Sequence, residues 1–382
     1  MSAEDLPGRI VAPGNVASEL LKFWRETADH DRSARSSDSP RLKTTLANII
    51  VFAGCEESSA CSKWLQDLLT ELCLSYPSRF VVVVSSRDSG EQLTCSVNSR
   101  CVLSDNGQHV CSEEIYLRVP VGARKHLKHM LWSLLVPDIE VIMIALPGFL
   151  GYEELEALQE TISPLADLAG RIIYDSACVP AAATLWSVGT EEPLHLYDTS
   201  WVRLLGLRNL VREQFDSPLA KDLIMGLECV EISYSARSSG LLPPNKVFLL
   251  AGWILSCLGR DPEGVSFADG EYKWTDGFTI RLISVEGGSS ARSVQQVLFK
   301  GHHPVHSYLM SLKISSEDAE KGFAYNVACE NLDSKEILFS GRSFQEEPML
   351  LREIITCVQD DNTYSSYRAA DLLAMQLADF YI

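Results

Sequence analysis

The chain has 382 residues, a formal net charge of −18 at pH 7 and an isoelectric point near 4.9. This excess of acid argues against a nucleic-acid or anionic-membrane surface, because phosphate contacts need clustered Lys and Arg. Hydrophobic residues make up 46% of the chain and charged residues 22%, which is ordinary for a soluble globular protein. The length is sufficient for two domains with sizeable cores.

The first ten residues, MSAEDLPGRI, are acidic and polar, without the apolar segment of a signal peptide. The longest apolar run, residues 247–258, is too short to span a bilayer and is typical of a buried helix. We therefore expect a cytoplasmic protein.

None of the eleven cysteines forms a CxxC pair or a zinc-site spacing. We expect most of them to be reduced core residues, and we expect no bound metal or cofactor.

Residues 1–44 are predicted to form a helix followed by a flexible linker. Residues 16–27, VASELLKFWRET, place Leu20, Phe23 and Trp24 on one side of a helix. Residues 29–43 are polar and rich in serine, which is typical of a mobile segment. The helix could dock on the rest of the chain, which is the commoner case, or capture a partner.

Residues 45–180 are predicted to form an α/β domain. Its apolar segments, such as FVVVVS at 80–85, have no polar face and alternate with amphipathic helices. This alternation indicates a mostly parallel sheet covered on both faces. The predicted strands are 46–53, 80–85, 92–97, 110–119, 140–146 and 171–174, and the predicted helices are 59–76, 123–135 and 152–162.

Residues 181–382 are predicted to form an α+β domain with an antiparallel sheet. Short turn signals, such as Gly287-Gly288, join neighbouring strands, whereas residues 261–276 look irregular. The predicted strands are 229–235, 278–285, 305–314, 322–329 and 336–339. The predicted helices are 198–218, 219–226, 246–258, 349–359 and 365–380.

The segment 198–218, DTSWVRLLGLRNLVREQFDSP, is predicted to be one largely buried helix where the two domains meet. Asp198 is a good N-cap residue, and Pro218 forbids continuation. Arg203 and Arg208 fall among apolar residues that cover more than half of the helical circumference. Since an arginine on an apolar face must find a partner, we expect an internal clamp to aspartates.

Two polar turns are candidates for ligand binding. The turn 54–59, GCEESS, follows the first strand of the α/β domain, where phosphate sites occur. It lacks a glycine-rich phosphate motif and its two glutamates would repel an anion, so a capped helix is the better account. The histidines of GHHPVH at 301–306 would bind a metal only beside a carboxylate or cysteine, and an ordinary turn is favoured.

The predicted helix 123–135 carries the one local basic patch of this acidic chain. It is either a solvated helix face or a contact for an acidic partner surface. The patch comprises Arg124, Lys125, His126, Lys128 and His129.

One predicted hairpin is surrounded by three cysteines, Cys95, Cys101 and Cys111. If its strands pair about residue 103, Cys95 and Cys111 come opposite each other, close enough to be oxidised as a redox switch. Coincidence among eleven cysteines is the alternative.

Segments spread along the chain match one known family in order and spacing. They are LLKFW at 20–24, YPSR at 76–79, CSEEIYL at 111–117, LLVPDIEV at 134–141, DLAGRIIYDS at 167–176 and LLAGWILSCLG at 249–259. The helix 198–218 adds Asp198, Trp201, Arg203, Phe215 and Asp216. Together these segments resemble the OpcA family, the assembly or activator proteins of glucose-6-phosphate dehydrogenase.

The resemblance implies a non-catalytic protein that binds glucose-6-phosphate dehydrogenase and supports its assembly or activity in the oxidative pentose phosphate pathway. The alternative is a sugar-phosphate-binding protein or enzyme of the same pathway, with a site at the strand ends of the α/β domain. The family-like candidates for partner binding or for an interdomain clamp are Arg79, Trp201, Arg203 and Arg208.

The sequence also departs from the family pattern. Tyr76 stands where the family has His, Leu207 precedes Arg208 where it has Trp, and residues 142–145 lack its tryptophans. A diverged member could retain the fold while its partner surface has changed.

Overall fold

The computed structural model describes residues 6–33, 41–53, 59–86, 90–104, 106–145, 165, 168–176, 196–216, 224–235, 243–268, 270–285, 294–303, 306–315, 323–329, 335–341 and 361–381. These residues divide into two compact units, each containing one sheet. The first unit has a mostly parallel sheet and the second a separate mixed sheet, which confirms the α/β fold class.

The first sheet has nine strands in the described part of the chain, in the order β1-β5-β6-β4-β3-β7-β8-β9, with β2 also beside β6. Strands β3, β4, β6, β7 and β8 run parallel to their neighbours in this set, and the hairpin β5/β6 and the edge strand β1 are antiparallel. The strands are β1 (Arg9–Val11), β2 (Arg41–Lys43), β3 (Asn48–Ala53), β4 (Arg79–Ser86), β5 (Thr94–Leu103), β6 (His109–Pro120), β7 (Val141–Ala145), β8 (Arg171–Tyr174) and β9 (Leu196–Asp198).

Helices α1 (Val16–Ser33), α2 (Ser59–Ser75) and α3 (Leu127–Leu134) belong to the first unit. All six residues of β3 are buried, as are six of the eight in β4, because helices cover both faces of a parallel sheet. Val16 and Leu20 of α1 are buried in the same cluster as the sheet, so α1 docks within the chain. Strand β2 lies in the segment that the sequence predicts to be a flexible linker and pairs with β6.

The second sheet has the order β11-β12-β13-β10-β14-β15-β16-β17. Its pairs are antiparallel except β10 with β13, which run parallel, so the sheet is mixed where the sequence predicts an antiparallel one. The strands are β10 (Leu227–Ser235), β11 (Val265–Ala268), β12 (Glu271–Trp274), β13 (Thr279–Val285), β14 (Val294–His303), β15 (His306–Ser315), β16 (Phe323–Cys329) and β17 (Lys335–Gly341).

Residues 261–276 are not irregular throughout, because they contain the β11/β12 hairpin. The alternating burial of Tyr272 and Trp274, with Glu271 and Lys273 half-buried, is the strand period that the sequence prediction missed. Strand β14 was also missed. The predicted helices 152–162 and 349–359, and most of 219–226, lie outside the described residues.

The second unit contains helices α4 (Thr199–Arg203), α5 (Leu205–Phe215), α6 (Asn245–Cys257) and α7 (Asp361–Tyr381). The predicted helix 198–218 is therefore two helices, because the chain turns at Leu204. Its start is as predicted, since the Asp198 side chain accepts a hydrogen bond from Ser200 N at 2.8 Å. Helices α6 and α7 pack in the core formed with β10, β12, β13 and β14.

Candidate functional site

Arg79, the first residue of β4, is held in a buried ion pair. Its Nε donates to Glu113 Oε2 at 2.7 Å, and its Nη1 donates to the Leu134 carbonyl at 2.8 Å. The Arg79 side chain is 18% exposed and that of Glu113 is 2% exposed. An arginine this far from water is stable only with such partners, so Arg79 ties the start of β4 to β6 and to the end of α3.

Glu113 gathers two further donors. Lys43 Nζ lies 2.5 Å and Trp24 Nε1 lies 2.7 Å from its Oε1, and the lysine also sits over the Trp24 ring. Burial opposes ionisation of Glu113, but Arg79 and Lys43 outweigh it and lower the pKa of the carboxyl. Three segments of the family-like pattern, 20–24, 76–79 and 111–117, thus meet at one carboxylate, together with Lys43.

This cluster lies at the amino ends of the parallel strands. Asn48, the first residue of β3, pairs with Arg79 and with Val141, the first residue of β7. The Asn48 side chain also donates to the Val136 carbonyl at 2.9 Å and accepts from Val136 N at 2.8 Å. α/β sheets bind ligands at the opposite, carboxyl edge. These family-like residues therefore lie away from the usual ligand edge, and their contacts join segments of the fold.

A second buried network lies between α2 and the β5/β6 hairpin. Glu114, which is fully buried, accepts from Arg100 Nε, from Asn98 Nδ2 at 3.1 Å and from the Tyr116 hydroxyl at 3.1 Å. Arg100 also donates to Gln66 and to Thr70 Oγ1, at 2.9 Å in the second case. Burial and the adjacent Glu114 carboxylate raise the pKa of Tyr116, so its hydroxyl remains a donor. Every charge in this network has a partner, which is the pattern of a fold-specifying core.

The cysteine pairing differs from the prediction. Cys111 lies opposite Cys101 and forms a disulfide with it, whereas Cys95 lies opposite Leu117 and is a free, buried thiol. The predicted Cys95–Cys111 pair is therefore wrong in this structure, because the strands pair about a turn at residues 104–108 instead of about residue 103. Burial raises the pKa of Cys95 to about 12, which makes it a poor nucleophile.

At the carboxyl edge of the first sheet, two arginines contact serine hydroxyls. Arg124 Nη2 donates to Ser85 Oγ at 2.7 Å, and Arg118 Nη2 lies 3.3 Å from Ser86 Oγ. Ser85 and Ser86 end β4, and Arg118 lies near the end of the parallel strand β6. Both pairs therefore lie at the edge of the sheet where α/β folds bind ligands.

In the second unit, Trp201 is the centre of the family-like segment on α4. Its ring packs edge-on against Tyr367 of α7, with centroids 5.4 Å apart, and the Arg208 guanidinium lies 3.5 Å from the Trp201 ring centroid. Arg208 Nη2 also donates to the Trp201 carbonyl at 3.2 Å. Arg203 is half-buried at the last turn of α4. These contacts lie within one unit, and a role of the arginines as an interdomain clamp or in partner binding stays a prediction.

Other sequence candidates are not brought into a site. Residues 54–58 lie outside the described ranges, and the backbones of His302, His303 and His306 lie at the β14/β15 hairpin. Within the described ranges, no group of three or more His, Cys, Asp and Glu residues is placed to hold a metal ion. No helix in that same part of the chain is long and apolar enough to cross a membrane.

Sequence reasoning missed the acceptors at the centre of both networks, Glu113 and Glu114. Each is a charged residue inside the otherwise apolar strand segment CSEEIYL, and a glutamate pair in a buried strand is the signal that could have been used. Neighbouring residues of a strand face opposite sides of a sheet, so the two carboxylates serve separate clusters.

Comparison with known proteins confirms the resemblance to the OpcA family. Residues 70–188 match the family model of the OpcA glucose-6-phosphate dehydrogenase assembly proteins, described as the glucose-6-phosphate dehydrogenase subunit N-terminal domain. The matched stretch includes Arg79, Glu113, Glu114 and helix α3.

Three cyanobacterial relatives are each named an OxPP cycle protein OpcA. The protein of Nostoc punctiforme is 24% identical over 256 residues, covering 65% of this chain and 52% of the relative. The Synechococcus elongatus protein is 22% identical over 202 residues, covering 51% and 43%, and the Synechocystis protein is 22% identical over 208 residues, covering 53% and 41%. This chain thus spans about half the length of the curated relatives it matches.

Among solved structures, a 3-ketoreductase from Actinomadura kijaniata aligns at a TM-score of 0.47 and 12% identity, covering 87% of this chain and 97% of that chain. A score this low carries no argument about fold or activity.

Proposed function

From the likeness to the OpcA family, we propose that this chain binds glucose-6-phosphate dehydrogenase and promotes its assembly or its active form, without catalysing a reaction itself. The observation that carries the proposal is the match of residues 70–188 to the family model. The relatives named for the OxPP cycle give the pathway, the oxidative pentose phosphate pathway.

The placement of the family-like residues supports a binding role. Arg79 and Glu113 are turned inward, at the amino edge of the sheet, and Gly252 of LLAGW packs against α7 in the second unit. Buried residues held by such contacts give a rigid framework, and a rigid framework presents a surface of fixed shape to a partner. Such pre-organisation reduces the entropy that binding costs.

An activator must bind the active state of its target more tightly than the inactive state. A tenfold preference shifts that equilibrium by about 1.4 kcal/mol, enough to change the fraction of active dehydrogenase severalfold when both states are populated. The same coupling requires that substrates which favour the active state also tighten binding of this chain.

The proposal is tested by mixing the purified chain with the dehydrogenase from the same organism. We expect a complex in size-exclusion chromatography with light scattering, together with a change in the oligomer distribution or in kcat/KM of the dehydrogenase. An unrelated acidic protein at the same concentration is the control for non-specific effects. If neither oligomer nor kinetics changes under reducing or oxidising conditions, the proposal fails.

One observation favours a second candidate function, the binding of a sugar phosphate. Arg124 and Arg118 lie with Ser85 and Ser86 at the carboxyl edge of the sheet, where α/β folds take anionic ligands. Thermal-shift titrations with glucose-6-phosphate, 6-phosphogluconate and NADP would test it. Stabilisation that grows with ligand concentration and is lost in Arg124→Ala would favour this function, and flat curves would exclude it.

A further inference from the structure

Helix α3 buries one face and presents a basic, aromatic face to solvent. Leu127, Leu131 and Leu134, spaced four and three residues apart, are buried against the sheet. On the opposite side, Trp132 has 69% of its surface exposed. Among the tryptophans whose side chains the structure describes, this exposure is unusual, because Trp201, Trp253 and Trp274 are buried and Trp24 is half-buried.

Basic residues surround that tryptophan. Lys125, His126 and His129 are exposed and Lys128 is half-buried, and the segment from Val121 to Leu134 contains no Asp or Glu. Within the part of the chain that the structure describes, Lys125 Nζ pairs with Glu91 at 3.4 Å, but both side chains are exposed and such a pair is weak. In a chain of net charge −18, this is a local positive surface of a few residues around a large apolar ring.

The basic side chains at its amino terminus are also unfavourable for helix α3 itself. Arg124 and Lys125 lie just before the first turn of α3, and His126, the residue before the helix, makes no side-chain cap hydrogen bond. Cations at a helix amino terminus are unfavourable, because the peptide dipoles place partial positive charge there. An acidic partner bound at this end of α3 would offset this repulsion.

We infer that this exposed face of α3, with Trp132 as its anchor and the exposed Lys125 beside it, docks an acidic surface of another protein. The inference rests on the proposed function, in which that protein is glucose-6-phosphate dehydrogenase. Tryptophans are frequent among the residues that dominate interface energies, and flanking charges set partner orientation and association rate. Nucleic acid is a poor alternative, because the remainder of the chain would repel a polyanion.

The test measures the affinity of variants for the dehydrogenase by biolayer interferometry. We expect Trp132→Ala to weaken binding at least about tenfold and Lys125→Glu to weaken it about threefold or more, with a smaller dependence on NaCl concentration than wild type. Leu103→Ala and Lys22→Glu are the matched controls, because Leu103 is 57% exposed and Lys22 is exposed on α1. Both controls should bind as wild type does.

A photo-crosslinking amino acid at position 132 identifies the occupant directly. We expect a cross-link to an Asp- and Glu-rich peptide of the dehydrogenase, and none from the same group placed at position 103. A cross-link only to a second copy of this chain would overturn the inference. Thermal melts should show Trp132→Ala as stable as wild type, since the ring is mostly in water.

The binding results distinguish a failure of the docking inference from a failure of the proposed function. If wild type binds and Trp132→Ala and Lys125→Glu bind equally well, the docking face is wrong while the proposed function stands. If wild type does not bind the dehydrogenase, the proposed function fails and the docking inference fails with it.

Discussion

Arg79 and Glu113 lie opposite each other where β4 and β6 run side by side, with the guanidinium Nε 2.7 Å from Oε2 of the carboxylate. Both side chains are mostly removed from water. The pair connects the YPSR segment to the CSEEIYL segment, and through the Leu134 carbonyl to LLVPDIEV. These three family-like segments are thus joined by direct contacts.

Arg79→Met should destabilise the protein. Removal of one partner leaves the buried Glu113 carboxylate with Lys43 and Trp24 alone, and we expect a loss of about 3 kcal/mol. Chemical denaturation followed by circular dichroism measures it. Lys125→Met is the control, because its ion pair with Glu91 is exposed on both sides and should contribute less than about 1 kcal/mol. A variant at position 79 as stable as the control would contradict the assignment.

The loss of stability at acidic pH should depend on Glu113. Its pKa in the folded protein is lowered below the usual value of 4.5, because Arg79 and Lys43 outweigh the opposing effect of burial. A lowered folded-state pKa stabilises the fold above the unfolded-state pKa, and that stability is lost as pH falls through the folded-state value. The free energy of unfolding should therefore drop on acidification below about pH 4.5, and Glu113→Gln should show a smaller drop. Glu213→Gln, exposed on α5, should retain the wild-type dependence.

The buried apolar strands were predictable from sequence and the polar parts of strands were not. The sequence predicts a strand over residues 80–85 and β4 is Arg79–Ser86, because a strand covered on both faces is apolar throughout. The sequence predicts that the next strand ends at Val97, yet β5 continues to Leu103. Asn98 and Arg100 are tolerated there because Glu114 accepts from both, a contact between separate strands that periodicity does not reveal.

The candidate site shows the same limit. The family pattern gave Arg79 as a residue of interest, but its acceptor Glu113 lies 34 positions later and is fixed by strand register. The cysteine prediction failed for a related reason. Moving the pairing centre of the β5/β6 hairpin by three residues replaces Cys95 with Cys101 opposite Cys111.

Oxidised protein should therefore contain the Cys101–Cys111 disulfide, with Cys95 free. Peptide mapping after alkylation measures both. A covalent loop of ten residues stabilises a fold by roughly 2 to 3 kcal/mol in the chain-entropy account, so reduction should lower the stability of the first unit by about that amount. Cys95→Ser tests the assignment, since it should leave the response to reduction unchanged. A mapped Cys95–Cys111 peptide would contradict the assignment.

Gly252→Ala should be strongly destabilising. Gly252, in the middle of α6, lies against the backbone of α7, and a Cβ there would meet the Ser366 carbonyl oxygen and come within 2.7 Å of Ala370 N. Backbone atoms of a packed helix cannot move aside as a flexible side chain can, so we expect a cost of about 3 kcal/mol from overpacking. Gly264→Ala is the control, since nothing lies within 4 Å of its added carbon. Urea midpoints of the two variants give the comparison.

Arg208 should stabilise the second unit through Trp201. Its guanidinium lies 3.5 Å from the centroid of a ring that is 7% exposed, and Arg208→Ala should cost about 1 to 2 kcal/mol through the lost cation–π contact and packing. Arg212→Ala, exposed on the same helix, should cost less than about 0.5 kcal/mol.

We expect Arg203→Ala, at the half-buried end of α4, also to lower stability. In the dehydrogenase-binding assay, both Arg203→Ala and Arg208→Ala should keep wild-type affinity at temperatures where they are folded. A variant of either arginine that is fully stable but no longer binds would instead place that arginine at the partner surface, because a contact that serves only the fold cannot be lost without a change in the free energy of unfolding.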